Sequence, residues 1–165
     1  ASRGLGDVYK RQDIIECSMS SYNIDQIYKI FNKAFFLNKL IDKNIGQDII
    51  FSYKRASNIL SDELKKNKIE LSETTDPGLF KNDSEKKLYK KIQEIRKYFT
   101  SLGSGENCEK TLEVLAEAKI EVSNFFEDVI VNDDDEALKK NRLELLQLLC
   151  KTFNNYINFS NIESI

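Results

Sequence analysis

The sequence of 165 residues contains no histidine, no tryptophan and a single proline. Without histidine, neither a Ser-His-Asp triad nor a zinc site of the Cys/His type can form. Its cysteines, Cys17, Cys108 and Cys150, are widely spaced and contain no CxxC pair. A cysteine zinc site and a disulfide framework are therefore unsupported, and neutral thiols in a reducing compartment are expected. The sequence predicts no catalytic residue of these kinds and no bound cofactor.

Phosphate-binding loops and membrane segments are missing too. The six glycines do not form a Gly-rich phosphate loop, and no GxSxG motif is present. No apolar run approaches the roughly 20 residues that cross a bilayer. No charged and then apolar leader is present either. Nucleotide-hydrolysing loops and export signals are not expected, and the chain is predicted to be cytoplasmic.

The composition favours helices. Leu, Ile, Lys, Glu and Asn are abundant, while proline and glycine are scarce. Apolar spacing and helix breakers predict an all-α fold, an antiparallel bundle of about five helices. Tyr28, Phe31, Phe35 and Leu40 form a stripe that is expected to face the core. The predicted helices cover about 23–45, 47–66, 83–101, 106–131 and 135–165.

The first twelve residues are expected to be foreign to the protein. Residues 2–12, SRGLGDVYKRQ, resemble one reading frame of a common transposase sequencing adaptor. Such a scar is excluded from fold reasoning. The alternative is a genuine flexible tail that contains glycine. We expect residues 1–12 to be the scar and residues 13–165 to be one helical domain, the C-terminal fragment of a longer chain.

The charge is small in total but uneven along the sequence. The formal net charge is −2, which argues against a general nucleic-acid coat. Residues 81–100 carry seven basic and three acidic side chains, whereas residues 105–165 carry six basic and thirteen acidic ones. The basic face of the third helix is predicted to meet phosphate through Lys86, Lys87, Lys90 and Lys91.

An acidic run, NDDDE at 132–136, precedes the fifth helix. Clustered carboxylates can hold Ca²⁺ or Mg²⁺, but the glycine and the glutamate of a calcium loop are missing. Acidic residues at a helix start also cap its free N–H groups. The pattern favours capping, by Asp133 or Asp134, over a metal site.

A second motif, SYKRASNIL at 52–60, is the best candidate for RNA contact. On a helix, Lys54, Arg55 and Asn58 lie within one turn, so the cations can hold phosphate while Asn58 reaches a base edge. Tyr53 could add a stacking ring. In the structural alternative, Arg55 pairs with an acid of the NDDDE run and Asn58 satisfies a buried helix end.

The pair Asn141–Arg142 leaves the same two possibilities open. Both side chains can contact RNA. Alternatively, Arg142 can form a structural ion pair with Asp128 across the acidic turn.

Together these motifs carry a family resemblance. KRASNIL at 54–60 is similar to a KRxxNIL motif, and residues 125–143 are similar to FFDxVMVxxDDxxLRxNRL. Both motifs, in this order, resemble the C-terminal domain of bacterial glycine–tRNA ligase β subunits, a helical anticodon-binding domain of the DALR type. Glu136-Ala137-Leu138-Lys139 stands where DALR itself would be. Because lysine lacks the planar fork of arginine, a contact that depends on that fork at Lys139 is in doubt.

The resemblance implies a non-catalytic part of an enzyme that joins glycine to its tRNA. It implies glycine tRNA as a partner, and an α subunit in a tetramer of two α and two β chains. ATP and Mg²⁺ would be used by the parent enzyme at the α subunit. The tRNA-binding residues are then expected to be Lys54, Arg55, Asn58, Lys86, Lys87, Lys90, Lys91, Asn141 and Arg142. The alternative is a packing module for subunit assembly that reads no anticodon.

Overall fold

The computed structural model describes residues 24–41, 43–66, 69–103 and 107–162. These residues are helical, with no β-strand among them, which confirms the predicted all-α class. They belong to two compact units, one ending at Phe36 and the other beginning at Leu37. The α-helices are α1 Ile24–Leu40, α2 Asn44–Lys66, α3 Asp83–Ser101, α4 Cys108–Ala116, α5 Ala118–Asp128 and α6 Glu136–Asn154. Short 3-10 helices lie between α2 and α3, at Pro77–Leu79, and after α6, at Phe159–Asn161.

Five helical regions were predicted, and the fourth is divided in two. Residues 106–131 were expected to form one helix, but α4 and α5 meet at a turn at Glu117. Asn107 caps α4 by accepting the N–H of Lys110 at 3.0 Å. None of the described helices combines the length and the hydrophobicity that a bilayer crossing requires.

The prediction for the apolar stripe of α1 is wrong in part. Leu40 is buried, but Tyr28, Phe31 and Phe35 are exposed to 66%, 70% and 64%. Apolar spacing identifies the face of a helix, but whether that face is covered depends on other parts of the structure.

Helix α6 is the most buried element. Along most of its length residues on every side are inaccessible, as expected for a helix surrounded by protein. It packs against α2 and α3, and α5 also packs against both of these helices. Helices α2 and α3 therefore occupy opposite corners of a four-cornered bundle, with α5 and α6 at the corners between them. The core between them includes Ile49, Leu88, Ile92, Leu112, Val122, Phe125, Leu143, Leu146 and Phe153.

A cap at the start of α6 explains part of the acidic run. The Oδ1 atom of Asp135 accepts the N–H groups of Ala137 at 2.9 Å and Leu138 at 3.2 Å. Helix capping was predicted correctly, but the capping residue is Asp135 and not Asp133 or Asp134. In the described part of the chain, no three acidic or cysteine side chains are grouped to hold a metal ion.

The turn between α1 and α2 depends on glycine. A Cβ atom at Gly46 would lie 2.3 Å from the carbonyl oxygen of Leu40 and 2.5 Å from the Cα atom of Ile41. Both are backbone atoms, which cannot rotate away as a side chain would. The close approach of the two helix ends therefore requires a residue without a side chain.

Gly46→Ala should lower the free energy of unfolding by about 1–2 kcal/mol. Because the overlap is with backbone atoms it costs about 2–3 kcal/mol, and the better helix propensity of alanine returns about 1 kcal/mol. Gly103→Ala is the matched control, because a Cβ there meets nothing within 4 Å. Urea denaturation of both variants measures the difference. Equal stability of the two would contradict the close approach.

Candidate nucleic-acid interface

The solvent-facing side of α2 carries four neighbouring side chains, Phe51, Lys54, Arg55 and Asn58, which we call the α2 patch. Asn58 is exposed, Lys54 and Arg55 are half-buried, and Phe51 is 38% exposed. The opposite side of α2 is buried through residues such as Ile49, Tyr53 and Ala56. The helical period thus separates the polar part of the predicted motif from the core.

Arg55 contacts aromatic rings rather than acids. Its guanidinium carbon lies 4.6 Å from the ring centre of Phe126 on α5 and 5.6 Å from that of Phe51. A guanidinium at this distance from a ring face is attracted by the electrons of the ring. The alternative in which Arg55 pairs with the NDDDE run is wrong. The alternative for Asn58 is wrong as well, since Asn58 lies exposed in the middle of α2.

The ring predicted to accompany these residues is elsewhere. Tyr53 is 4% exposed and packs 5.8 Å from Phe159 and 6.5 Å from Phe153, measured between ring centres. Its hydroxyl accepts a hydrogen bond from Nδ2 of Asn154 at 3.0 Å. The ring on the patch is Phe51, which the sequence analysis missed. The signal was available, because residues four apart on a helix share a face and Phe51 precedes Arg55 by four.

The predicted basic residues of α3 are all accessible, to different degrees. Lys86, Lys87 and Lys90 are exposed. The side chain of Lys91 is 22% exposed and lies 3.1 Å from a carboxylate oxygen of Glu94 and 3.5 Å from one of Glu117. Burial opposes the charge of Lys91, but the two carboxylates outweigh it and raise its pKa. Lys91 is therefore held by two protein acids. The three exposed lysines form the α3 basic face, where Lys86 lies 3.6 Å from Asp83 at the start of the helix.

The two groups of cations lie on two separate surfaces. The α2 patch belongs to α2 and the α3 basic face to α3, and these helices occupy opposite corners of the bundle with α5 packed against both. An RNA that contacts both groups has to span a further helix, and α5 packs against both α2 and α3. The outward residues of α5 include the acids Glu127 and Asp128, and its lysine, Lys119, is paired with Asp48.

Asn141 is buried and holds a loop. Its Oδ1 atom accepts the hydroxyl of Thr75 at 2.8 Å and the N–H of Asp76 at 2.7 Å. Its Nδ2 group donates to the carbonyl of Asp76 at 3.0 Å. With 2% exposure and its amide occupied on both sides, Asn141 offers no surface to RNA. The predicted RNA contact of Asn141 is corrected to a structural role.

The loop that Asn141 holds lies along α6, fastened by further polar residues of that helix. Glu144 accepts the N–H of Ser72 at 2.9 Å, and Gln147 donates to the carbonyl of Ser72 at 2.8 Å. Lys151 pairs with Glu73 at 3.0 Å. These residues recur at three- and four-residue steps, so they share one face of α6. The polar face of α6 is thus covered by residues 72–76 and not by a ligand.

Arg142 is buried as well, with 4% exposure. Its Nε atom donates to Glu85 at 2.9 Å, and its Nη1 atom donates to Asp133 at 2.6 Å and to the carbonyl of Ile130 at 2.9 Å. The structural alternative was the correct one, but the partner predicted for it, Asp128, was wrong. As Arg142 is enclosed by protein, its predicted RNA contact is also corrected to a structural role.

The charges around Arg142 support one another. Burial opposes the guanidinium charge, but hydrogen bonds from Glu85 and Asp133 outweigh it and raise the pKa of Arg142. The backbone N–H of Asp135 and then the guanidinium of Arg142 lower the pKa of Asp133. A lowered carboxyl pKa contributes stability that is present above its ordinary value and is lost as the pH falls through the lowered one.

Lys139, which stands at the last position of the DALR motif, has a structural role. Lys139 is 6% exposed, and its Nζ atom lies 3.0 Å from a carboxylate oxygen of Glu63 on α2. Glu63 also lies 3.7 Å from Lys66. An ammonium group can satisfy this contact without a planar fork. The pair links α6 to α2 in the interior.

The described cysteines show no sign of reactivity. Cys108 and Cys150 are both buried. Burial raises the pKa of the Cys150 thiol to about 12, so this thiol stays protonated at neutral pH and is a poor nucleophile. Cys17 lies outside the described residues, as does the predicted scar.

Comparison with known proteins agrees with the resemblance in the motifs. Residues 49–165 match the family described as the DALR anticodon binding domain. Similar proteins include the glycine–tRNA ligase beta subunit of Rickettsia canadensis, 31% identical over 138 residues, which are 84% of this chain and 20% of that protein. The corresponding beta subunit of Rickettsia africae is 30% identical over 126 residues, 76% of this chain and 18% of that protein. This chain spans about a fifth of the length of the curated relatives it matches.

Proposed function

Because the chain belongs to the DALR anticodon binding domain family, we propose that it binds the anticodon arm of a tRNA. The similar proteins are glycine–tRNA ligase beta subunits, so the tRNA is that for glycine. The parent enzyme attaches glycine to this tRNA with ATP and Mg²⁺ in the cytoplasm. The chemistry takes place at a separate α subunit, in a tetramer of two α and two β chains.

The observation that carries this proposal is the α2 patch. It combines two cations, an amide and an aromatic ring on one accessible helix face within the matched residues 49–165. Cations hold phosphates, and amides and rings contact unpaired bases, which is how proteins recognise RNA loops. Asn141 and Arg142 have no part in this binding.

Within the patch, Lys54 and Asn58 have distinct functions. Lys54 holds a phosphate, a contact that is independent of sequence and sensitive to salt. Asn58 lies one turn further along α2 and offers a donor and an acceptor to a base edge. The α3 basic face makes a second contact with the phosphates of the stem, through Lys86, Lys87 and Lys90, with Lys91 at its border.

Lys54→Ala/Asn58→Ala is expected to weaken binding of glycine tRNA about tenfold or more. Loss of a base-edge contact removes about 1–3 kcal/mol of binding free energy. Loss of a phosphate contact reduces the salt slope, which is the slope of log affinity against log salt concentration, by about one. The affinity of the full chain should be measured at two salt concentrations, for glycine tRNA and for the same tRNA with its anticodon replaced. The wild-type chain should discriminate between the two, and the variant should lose most of that discrimination.

Two comparisons make this experiment specific. Lys110→Ala removes an exposed lysine on α4 and should leave binding within about twofold, as expected for a charge away from the site. Lys86→Ala/Lys87→Ala/Lys90→Ala should weaken both tRNAs equally. A folded wild-type chain that binds neither tRNA but associates with the α subunit would overturn the proposal in favour of an assembly module.

A further inference from the structure

We infer that Phe51, together with Arg55 and Phe126, forms a stacking platform for one unpaired base of the anticodon loop. This inference rests on the proposed function and adds to it the residues that hold a base by its flat face. Lys54 and Asn58 contact phosphates and base edges, but neither offers a flat surface. The platform supplies that surface.

An aromatic ring of another helix holds the side chain of Arg55 in place. Its guanidinium lies 4.6 Å from the ring centre of Phe126, which belongs to another helix. This contact, across the packed pair α2 and α5, restricts a side chain that would otherwise sample many rotamers. A guanidinium restrained in this way loses less conformational entropy when it contacts a base. Guanidinium planes and aromatic rings both stack on unpaired RNA bases.

Phe51 lies beside Arg55 on the same face of α2. It precedes Arg55 by one helical turn, and the distance from its ring centre to the guanidinium carbon is 5.6 Å. The residue is 38% exposed although it lies between the core-facing residues Ile49 and Tyr53 in sequence. Phe51 thus keeps part of its surface accessible beside two cations.

The charge of the patch itself favours a nucleic acid as the occupant. The patch has two positive and no negative side chains. Of the nearest acids on α2, Asp48 forms an ion pair with Lys119, whereas Asp62, one turn after Asn58, is exposed. An aromatic ring flanked by unneutralised cations suits a base attached to a phosphate. An apolar protein partner would leave Lys54 without compensation for its lost hydration.

The experiment uses an anticodon stem–loop of glycine tRNA with 2-aminopurine at one loop position at a time. Stacking quenches 2-aminopurine, so one position should lose fluorescence when the wild-type chain binds. Phe51→Leu keeps an apolar side chain of similar size but has no ring. It should weaken binding between about fivefold and 150-fold, as expected for one base stack, and abolish the change in fluorescence. Phe51→Trp should restore both.

Further variants separate stacking from charge and from folding. Arg55→Lys keeps the positive charge but loses the plane, so binding should weaken while the salt slope stays unchanged. Leu64→Ala, an apolar site near the end of α2 with 40% exposure against 38% for Phe51, should bind as the wild type does. Thermal unfolding followed by circular dichroism shows that each variant is folded.

The outcomes distinguish the inference from the proposed function. If the wild-type chain discriminates between anticodons and Phe51→Leu binds equally well, the platform is disproved and anticodon binding stands. If the 2-aminopurine signal is unchanged at every loop position, the platform is also disproved. If the folded wild-type chain does not bind the stem–loop or the intact tRNA, both proposals fail.

Discussion

Arg142→Met is expected to lower the free energy of unfolding by about 3–5 kcal/mol, the cost of removing one partner of a buried ion pair. Glu85 is 1% exposed, and its Oε1 atom receives the Nε–H of Arg142. Its Oε2 atom accepts the N–H groups of Lys81 and Asn82 at the start of α3. Without Arg142 the carboxylate stays buried with its charge uncompensated. Equilibrium urea denaturation measures the loss.

Two further variants identify the cause of this loss. Lys140→Met makes a similar change at an exposed neighbouring residue and should alter stability by no more than about 0.5 kcal/mol. Arg142→Met/Glu85→Gln removes the uncompensated charge and should recover part of the stability, because the amide is neutral. A loss below about 1 kcal/mol for Arg142→Met alone would show that the pair is not buried as described.

Asn141→Ala is expected to lower the free energy of unfolding by about 1–3 kcal/mol and to release the loop that covers α6. The change removes the acceptor of the Asp76 N–H and the donor to the Asp76 carbonyl, at about 0.5–1.5 kcal/mol for each lost hydrogen bond. The hydroxyl of Thr75 keeps the backbone carbonyl of residue 141 as an acceptor, at 3.1 Å. Hydrogen exchange of residues 72–80 should accelerate more than that of α6 itself. This local readout distinguishes a detached loop from general destabilisation.

Asn141→Asp is the informative partner of this variant. The carboxylate can still accept from Thr75 and Asp76, but it cannot donate to the carbonyl of Asp76. We expect Asn141→Asp to be at least as destabilised as Asn141→Ala, because it buries an unpaired carboxylate against the carbonyl of Asp76. Asn155→Ala, an exposed amide at the end of α6, should have little effect. If exchange in residues 72–80 is unchanged in Asn141→Ala, Asn141 does not anchor the loop.

Both predictions assign the strongest sequence motif to the framework of the domain. Arg142 joins α6 to the start of α3 and to the acidic turn, while Asn141 joins α6 to the preceding loop. Lys139 joins the same helix to α2. The conspicuous residues of the C-terminal motif therefore hold the bundle together. In the proposed function, the residues that contact RNA are those of the α2 patch and the α3 basic face.

The helical class and four of the helix positions could be predicted from local information. Apolar residues recurring at three and four positions identify a helix, but breakers located only some of the helix ends. Ile45 and Gly46 were predicted to end the first helix, whereas α1 ends at Leu40 and Gly46 lies inside α2. The junction at Glu117 could not be predicted in this way, because no proline or glycine marks it. That an aspartate of the acidic run caps α6 could be predicted from the sequence. The choice among three consecutive aspartates depends on backbone geometry that side-chain chemistry alone does not specify.

By itself, the sequence determined that this protein is a helical bundle of the DALR family, with cations on α2 and α3 and without histidine-based chemistry. Only the tertiary structure decided which motif residues are buried. Arg142 finds Glu85 across 57 positions, and many acids were equally suitable partners by charge. Phe51 and Tyr53 lie on different sides of α2, and the helical period alone does not say which side the other helices cover. Periodicity is a local property, whereas burial and ion pairing depend on how distant segments pack.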